Sequence, residues 1–168
     1  MERRQLAKTG MLRSAHMLGN EEEIIFTATD LLADTKLALE LSNEAHYYRA
    51  KAYLDAGKTD GAMEDLKILA KDTRNVYGAE AKYKVAQIYF DGGQTDKAEQ
   101  EVLNYIEVST PHTYWLARSF VLLADVYMKL GRNLDAKQYL LSLKQNYQAD
   151  DDIAGMIESR LEKLKTEN

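Results

Sequence analysis

One pattern recurs three times along this chain, and its spacing constrains the fold more than any other feature. It reads Ala-x2-Tyr-x3-Gly-x4-Ala, followed after three more residues by an apolar residue. The copies begin at Ala50, Ala86 and Ala124, so successive copies lie 36 and 38 residues apart. Because the spacing is constant within a copy and varies between copies, the pattern indicates a tandem structural repeat.

The spacing within each copy predicts two antiparallel helices joined by a short turn. In the first copy, Ala50 and Tyr53 share a helix face, and Gly57 tolerates the left-handed conformation that ends a helix. Thr59 is of a type favoured at helix N-caps, so we expect it to cap a second helix. Ala62 then lies one turn into that helix, where a small residue permits close packing. The equivalent residues in the other copies are Gly93, Thr95 and Ala98, and Gly131, Asn133 and Ala136.

The repeated pattern resembles the tetratricopeptide repeat (TPR), a helix–turn–helix unit of about 34 residues. The Ala, Tyr and second Ala occupy the strongest positions of that family. The chain departs from the family in two ways. It lacks the proline that usually closes a repeat, since its only proline is Pro111. It also carries His46 and Lys82 at positions where an aromatic residue usually opens the first helix. The resemblance implies an all-α fold, a right-handed TPR superhelix of about four repeats plus a C-terminal capping helix.

These positions predict one TPR domain over residues 1–168. Gly19 lies 38 residues before Gly57, which predicts a degenerate repeat at 4–36 with Leu12, Ala15, Ile24 and Ala28 at the pattern positions. Repeats are expected at 42–74, 78–110 and 113–147, and an acid-capped amphipathic helix at 150–166 that covers the last apolar face. Residues 1–6 resemble the interior of a helix, with no capping residue before them. We therefore expect the chain to be a piece of a longer protein.

Composition narrows the classes of partner. The net charge is −5 and no dense Lys/Arg stripe is visible, which argues against nucleic-acid binding. The longest apolar runs are too short to span a membrane. The absence of cysteine excludes disulfides and thiolate metal sites. We therefore expect a protein or peptide partner, with no nucleic acid and no direct membrane insertion.

No pattern of catalytic or metal-binding residues is visible in the sequence. The three histidines, His16, His46 and His112, lack the i, i+4 spacing of a helical metal pair. Gly92-Gly93 lacks the Gly-Lys-Ser/Thr ending of a phosphate loop, and the aspartates at 150–152 lack the ligand spacing of a calcium loop. The sequence predicts no enzyme, no cofactor and no metal site.

The TPR resemblance implies that the first helices of the repeats line a concave, partner-binding groove. Tyr47 and Tyr83 hold equivalent positions in adjacent repeats, so they predict an aromatic ladder with both rings partly exposed. The alternative is that both rings pack against neighbouring helices. Acidic groove positions argue against a clamp for the carboxylate tail of a chaperone. The groove candidates are Glu44, Tyr47, Lys51, Glu80, Tyr83, Gln87, Phe90, Arg118, Asp125 and Met128.

The functional hypothesis is a non-catalytic scaffold that binds a partner peptide or domain in this groove. The alternative is a structural end-cap segment of a longer TPR solenoid with no ligand of its own. Residues 76–83 and 111–118 are similar to long TPR proteins of Gram-negative bacteria, many of them envelope proteins, which favours the periplasm or envelope over the cytoplasm. The sequence leaves the partner and the oligomeric state open.

Overall fold

The computed structural model describes residues 2–166, and within this range the chain forms nine helices and no strand. Eight of the helices follow one another as four pairs, and the ninth ends the array. The all-α architecture with four helix pairs and a terminal helix is therefore confirmed. The helices are α1 (Glu2–Met17), α2 (Glu21–Leu32), α3 (Leu39–Asp55), α4 (Thr59–Leu69), α5 (Val76–Asp91), α6 (Thr95–Val108), α7 (Thr113–Lys129), α8 (Asn133–Asn146) and α9 (Ile153–Thr166).

The same turn closes the first helix of every pair. In the second pair, Gly57 has a φ of 73°, and its N–H donates to the Leu54 carbonyl. The Lys58 N–H donates to the Tyr53 carbonyl at 2.7 Å. These two bonds form a Schellman motif, which requires the positive φ that glycine adopts without strain. The other three pairs carry the equivalent bonds at Gly19, Gly93 and Gly131.

The predicted capping role of the residues two positions after each of the three repeat glycines is wrong. Thr59 is already the first residue of α4, and Lys58 holds the N-cap position without a side-chain capping bond. The turn is too short for a separate cap, because the residue that completes the Schellman motif also begins the next helix. The Lys58 carbonyl accepts the first helical bond, from the Ala62 N–H at 3.2 Å. The same correction applies to Thr95 and Asn133.

The described chain divides into two compact units, the N-terminal unit up to Ala81 and the C-terminal unit from Lys82 on. The N-terminal unit contains α1 to α4 and the first turns of α5. Small and branched side chains from α1, α2 and α3 form one buried cluster of this unit, and the four positions of the predicted degenerate copy all lie in it. Helix α4 buries Ala62, Leu66 and Leu69 as well. The residues of the cluster are Leu12, Ala15, Ile24, Ala28, Leu31, Ala45 and Ala52.

The C-terminal unit is built around α7. This helix contacts α6, α8 and α9, and buries eight of its side chains. Tyr105 of α6 is fully buried in the same core, and Tyr127 is nearly so. Helix α9 begins where the Asp151 carboxylate accepts the Ile153 N–H at 2.9 Å, so the acidic run does start this helix. Within the described residues, no helix is both long enough and apolar enough to cross a membrane.

Replacing Ala98 by Leu should overpack the C-terminal unit. Ala98 is 0% exposed, and Ala86 in the preceding helix is buried as well. Three extra carbon atoms at such a position cost about 1–3 kcal/mol of unfolding free energy. Urea denaturation of Ala98→Leu beside Ala154→Leu, an exposed position on α9, measures the effect. Equal stability of the two variants would contradict the close packing at Ala98.

Replacing Gly78 by Ala should destabilise the N-terminal unit more strongly. A Cβ atom at Gly78 would meet the backbone carbonyl groups of Asp72 and Leu69, which cannot rotate away. We expect a loss of about 3 kcal/mol or more. Gly155 is the matched control, since a Cβ there meets nothing within 4 Å and Gly155→Ala should stabilise α9 by about 0.5–1 kcal/mol. Thermal melts of both variants test the pair. A melting temperature of Gly78→Ala equal to that of the wild type would refute the close approach of residue 78 to the Asp72 and Leu69 carbonyls.

Candidate functional site

The structure places the predicted groove residues on the first helices of the pairs, and the two units hold separate stretches of them. The N-terminal unit carries Glu44, Tyr47 and Lys51 on α3, with Glu80 on the first part of α5. The C-terminal unit carries Tyr83, Gln87 and Phe90 on the rest of α5, with Arg118, Asp125 and Met128 on α7. Each stretch has its own geometry.

Glu44 is largely committed to an ion pair within the N-terminal unit. The Arg13 guanidinium of α1 donates from Nε to Glu44 Oε1 at 2.6 Å and from Nη2 to Oε2 at 2.8 Å. This two-pronged geometry is the strongest form of an arginine–carboxylate pair. It raises the pKa of Arg13 chiefly through the hydrogen bond to Glu44. The Glu44 carboxylate therefore offers little free charge to a partner.

Tyr47 lies in a row of aromatic rings that contact one another. Its hydroxyl donates to Glu80 Oε1 at 3.2 Å, and its ring stacks on Tyr77 with centroids 4.5 Å apart. Tyr48 adjoins Tyr47 at 5.8 Å and stacks on His16 at 4.3 Å. Burial, followed by the nearby Glu80 carboxylate, raises the pKa of the Tyr47 hydroxyl, which stays protonated. The sequence pattern did not find Tyr77 or His16, because neither occupies a repeated groove position.

Tyr83 is more buried than the ladder hypothesis expected. Its side chain is only 6% exposed, with Trp115 at 5.7 Å and the Arg118 guanidinium 4.9 Å above its ring. The Tyr83 hydroxyl accepts from Arg118 Nη2 at 3.0 Å and donates to Gln87 Oε1 at 3.0 Å. The expected partial exposure thus holds for Tyr47 and fails for Tyr83, whose ring belongs to the core of the C-terminal unit.

Arg118 connects three helices of the C-terminal unit. Besides Tyr83 on α5, it donates from Nη1 to the Tyr114 hydroxyl on α7 at 3.1 Å. That hydroxyl donates in turn to Asp152 Oδ1, just before α9, at 2.9 Å. Burial raises the pKa of Tyr114, which keeps the hydroxyl available as a donor. The network fixes Arg118 in place and ties the start of α9 to α7.

Three of the predicted groove residues meet in one pocket of the C-terminal unit, which we call the α7–α9 pocket. It has a volume of about 570 Å³. Asp125 is held there by Arg160 of α9, whose Nε and Nη2 donate to its two carboxylate oxygens at 2.9 and 3.0 Å. The lining residues are Phe90, Asp125, Met128, Lys129, Ser159, Arg160 and Lys163. The repeat pattern does not indicate the α9 residues, because α9 follows the last repeat and was predicted only to cover its apolar face.

A second polar cluster lies in the N-terminal unit, where His46 and Arg49 hold the buried carboxylate of Asp65. The Asp65 carboxylate, 1% exposed, lies 2.7 Å from His46 Nδ1 and accepts from Arg49 Nε and Nη2 at 2.9 and 2.7 Å. Burial on its own raises the pKa of Asp65, but the hydrogen bonds from His46 and Arg49 outweigh it and hold that pKa below the ordinary 3.8. Within residues 2–166 no group of three His, Cys, Asp or Glu side chains could hold a metal ion.

Comparison with known proteins supports the repeat assignment in two places. Family models described as tetratricopeptide repeat match residues 44–72 and residues 117–145. Both matches fall inside repeats that the Ala/Tyr/Gly/Ala spacing had predicted. Among curated proteins, no match to the chain was found.

Solved structures support the fold over almost the whole chain. The Q17M variant of a proposed kinesin light chain from Podosopora anserina, with nearly identical TPR-like repeats, matches with a TM-score of 0.62 at 15% identity. That match covers 97% of this chain and 93% of the other. A second structure of these repeats, described without the Q17M substitution, gives a TM-score of 0.59 at 16% identity and covers 97% of this chain and 94% of the other. The chain has the all-α TPR fold. None of these matches supports the expected likeness to bacterial envelope proteins.

Replacing Asp65 by Asn should lower stability in a pH-dependent way. The folded state holds the pKa of Asp65 below the ordinary 3.8. The ionised carboxylate therefore contributes fully to the free energy of unfolding above pH 3.8, and this contribution is lost as the pH falls through the folded pKa. We expect Asp65→Asn to cost about 3 kcal/mol at neutral pH, since Arg49 loses its buried partner. Urea titrations from pH 7 to about 3 should show the difference from wild type shrinking.

The control for this series is Asp55→Asn, which changes an exposed carboxylate at the end of α3. It should follow the wild type at each pH. A difference between Asp65→Asn and wild type that stays constant down to the lowest pH would contradict the depressed pKa.

Proposed function

We propose that this chain is a non-catalytic protein-interaction scaffold that binds a partner segment in the α7–α9 pocket. Tetratricopeptide repeats generally mediate interactions between proteins, which supports the general part of the proposal. The single observation that carries the specific part is the meeting of Phe90, Asp125 and Met128 at one open pocket. The repeat positions in the sequence predict the same three residues as groove candidates.

The charges of the pocket favour an acidic partner segment. Arg160 neutralises Asp125 through two hydrogen bonds, so this pair contributes little net charge. Lys129 and Lys163 make no side-chain hydrogen bond or ion pair within the described residues, and both are exposed at the pocket. The rim therefore carries two uncompensated positive charges, although the whole chain has a net charge of −5. A carboxylate on the partner would gain most from these two lysines.

The apolar residues of the pocket favour a hydrophobic side chain next to that carboxylate. Phe90 and Met128 are half-buried and pack on the core of the C-terminal unit while facing the pocket. Methionine adapts its shape to different guests, and an aromatic ring offers a large contact area. The Arg160–Asp125 pair holds α9 against α7, so the pocket is formed in advance and little ordering is needed on binding.

The remaining groove candidates divide by their surroundings. Tyr47 and Lys51 are half-buried on α3, with the Lys51 ammonium 5.7 Å from the Tyr47 ring, so we propose them as contacts of the N-terminal unit with a partner. Glu44, Glu80 and Tyr83 are engaged internally, and Arg118 and Gln87 support Tyr83. We propose that these five act by holding the surface in place.

A second candidate function is a structural segment of a longer solenoid. The observation that favours it is on α1, where Leu6 and Met11 are 65% and 53% exposed. Exposed apolar side chains on one helix are what a neighbouring helix pair would cover in a repeat array. This function requires no ligand in the α7–α9 pocket.

Peptide selection against the purified chain tests the proposal. Random displayed peptides should be enriched for sequences with an acidic residue beside an apolar one. Fluorescence anisotropy with the best such peptide should show binding that weakens as salt rises, because exposed charges are screened. The double variant Lys129→Glu, Lys163→Glu should lower the affinity at least about tenfold, or 1.4 kcal/mol.

The matched control is the double variant Lys36→Glu, Lys71→Glu, which makes the same charge change at two exposed positions outside the pocket. It should leave the affinity unchanged. Enriched peptides without acidic residues, or binding that the double variant does not alter, would refute the pocket. A selection that enriches no peptide would favour the structural candidate.

A further inference from the structure

Helix α2 carries an exposed apolar face with acidic ends, which we call the α2 patch. Phe26 stands at its centre and is 69% exposed, with Ile25 beside it. Glu22 lies one turn before Phe26 and Asp30 one turn after it on the same helix face. The residues of the patch are Glu22, Ile25, Phe26, Thr29, Asp30 and Ala33, with Lys58 at its edge.

Helices α8 and α9 form a groove of the opposite character, which we call the α8–α9 groove. Its volume is about 410 Å³. Leu134 and Leu141 of α8 are 70% and 45% exposed along one wall, and Leu161 of α9 lies opposite. Lysines stand on both sides of the leucines. The lining residues are Asn133, Leu134, Lys137, Leu141, Lys144, Glu158, Leu161, Leu164 and Lys165.

The two surfaces are complementary in charge. In the α2 patch, Asp30 pairs with Lys8, and Glu22 makes no ion pair within the described residues. In the α8–α9 groove, Lys144 pairs with Glu158 at 2.6 Å and Lys165 with Glu162, while Lys137 makes no ion pair in the part of the chain that the structure describes. The patch thus keeps an unmatched carboxylate, and the groove keeps an unmatched ammonium.

We propose that copies of this chain associate head to tail, with the α2 patch of one copy seated in the α8–α9 groove of another. Phe26 enters between the leucines, and Glu22 reaches Lys137. The lengths agree, because the acidic ends of the patch lie eight residues apart, about 12 Å, and Lys137 and Lys144 lie seven apart, about 10 Å. Exposed apolar surface with a polar rim is typical of an interaction site.

Charge disfavours the symmetric pairings. Two α2 patches face to face would oppose acid to acid, and two grooves would oppose lysine to lysine, which costs affinity. Patch to groove is the pairing that joins opposite charges. It is heterologous, so a dimer still has one open patch and one open groove, and association continues into chains of copies or closes into a ring.

Analytical ultracentrifugation of the full chain tests the proposal. The wild type should show average mass rising with concentration. Phe26→Glu and Leu141→Glu should each lower the association constant at least tenfold, and an equimolar mixture of the two variants should form a 1:1 dimer that does not grow. Each variant retains the surface that the other has lost. The dimer is expected because one intact patch and one intact groove remain.

The control is Leu39→Glu, which replaces an apolar residue 73% exposed outside both surfaces and should associate like the wild type. Circular dichroism checks that the exposed substitutions leave the fold intact. A wild type that stays monomeric at all concentrations, or variants that associate normally, would overturn the proposal. So would a mixture that forms no dimer. Lys129 and Lys163 take no part, so failure here is separate from failure of the proposed peptide pocket.

Discussion

The hydrogen bond from the residue after each repeat glycine to a carbonyl five residues earlier is the constraint on which the rest of this structure depends. At Lys58 it reaches the Tyr53 carbonyl at 2.7 Å, and the same bond recurs in all four helix pairs. It requires a glycine with positive φ, between 67° and 78° here. Because the residue that donates this bond also begins the next helix, the turn has no freedom in length. Each pair therefore holds the buried residues of the repeated pattern in the same register.

Because this turn fixes how the two helices of a pair meet, the exposed residues can differ from one repeat to the next without loss of the fold. Equivalent positions on α3, α5 and α7 hold Glu44, Glu80 and Arg118, and their surroundings differ as much as their charges. The two acids lie in the N-terminal unit, one bound to Arg13 and one to Tyr47. The arginine lies in the C-terminal unit among aromatic rings. Binding chemistry is thus expected where the repeat sequence varies, while the fold rests on what is constant.

The sequence predicted the features that depend on local spacing. The helix pairs, the glycine turns and the buried positions of the degenerate copy around Leu12 and Ala28 all follow from short-range pattern. The predicted N-caps are wrong because residue type alone favours Thr59, whereas the short turn places Lys58 at the N-cap position. The burial of Tyr83 and the pairing of Arg160 with Asp125 depend on side chains 35 residues apart, and no spacing within a repeat encodes those contacts.

Helix α9 shows how a terminal element gains a second role. Its buried face of Ile153, Ile157 and Leu164 covers the core, as a cap must. The remaining faces of α9 border two depressions of the C-terminal unit. Arg160 and Lys163 face the α7–α9 pocket, whereas Leu161 and Lys165 face the α8–α9 groove. Helix α9 therefore contributes basic side chains to both surfaces through different residues, so the charge of each surface can be changed without touching the buried face that holds the helix in place.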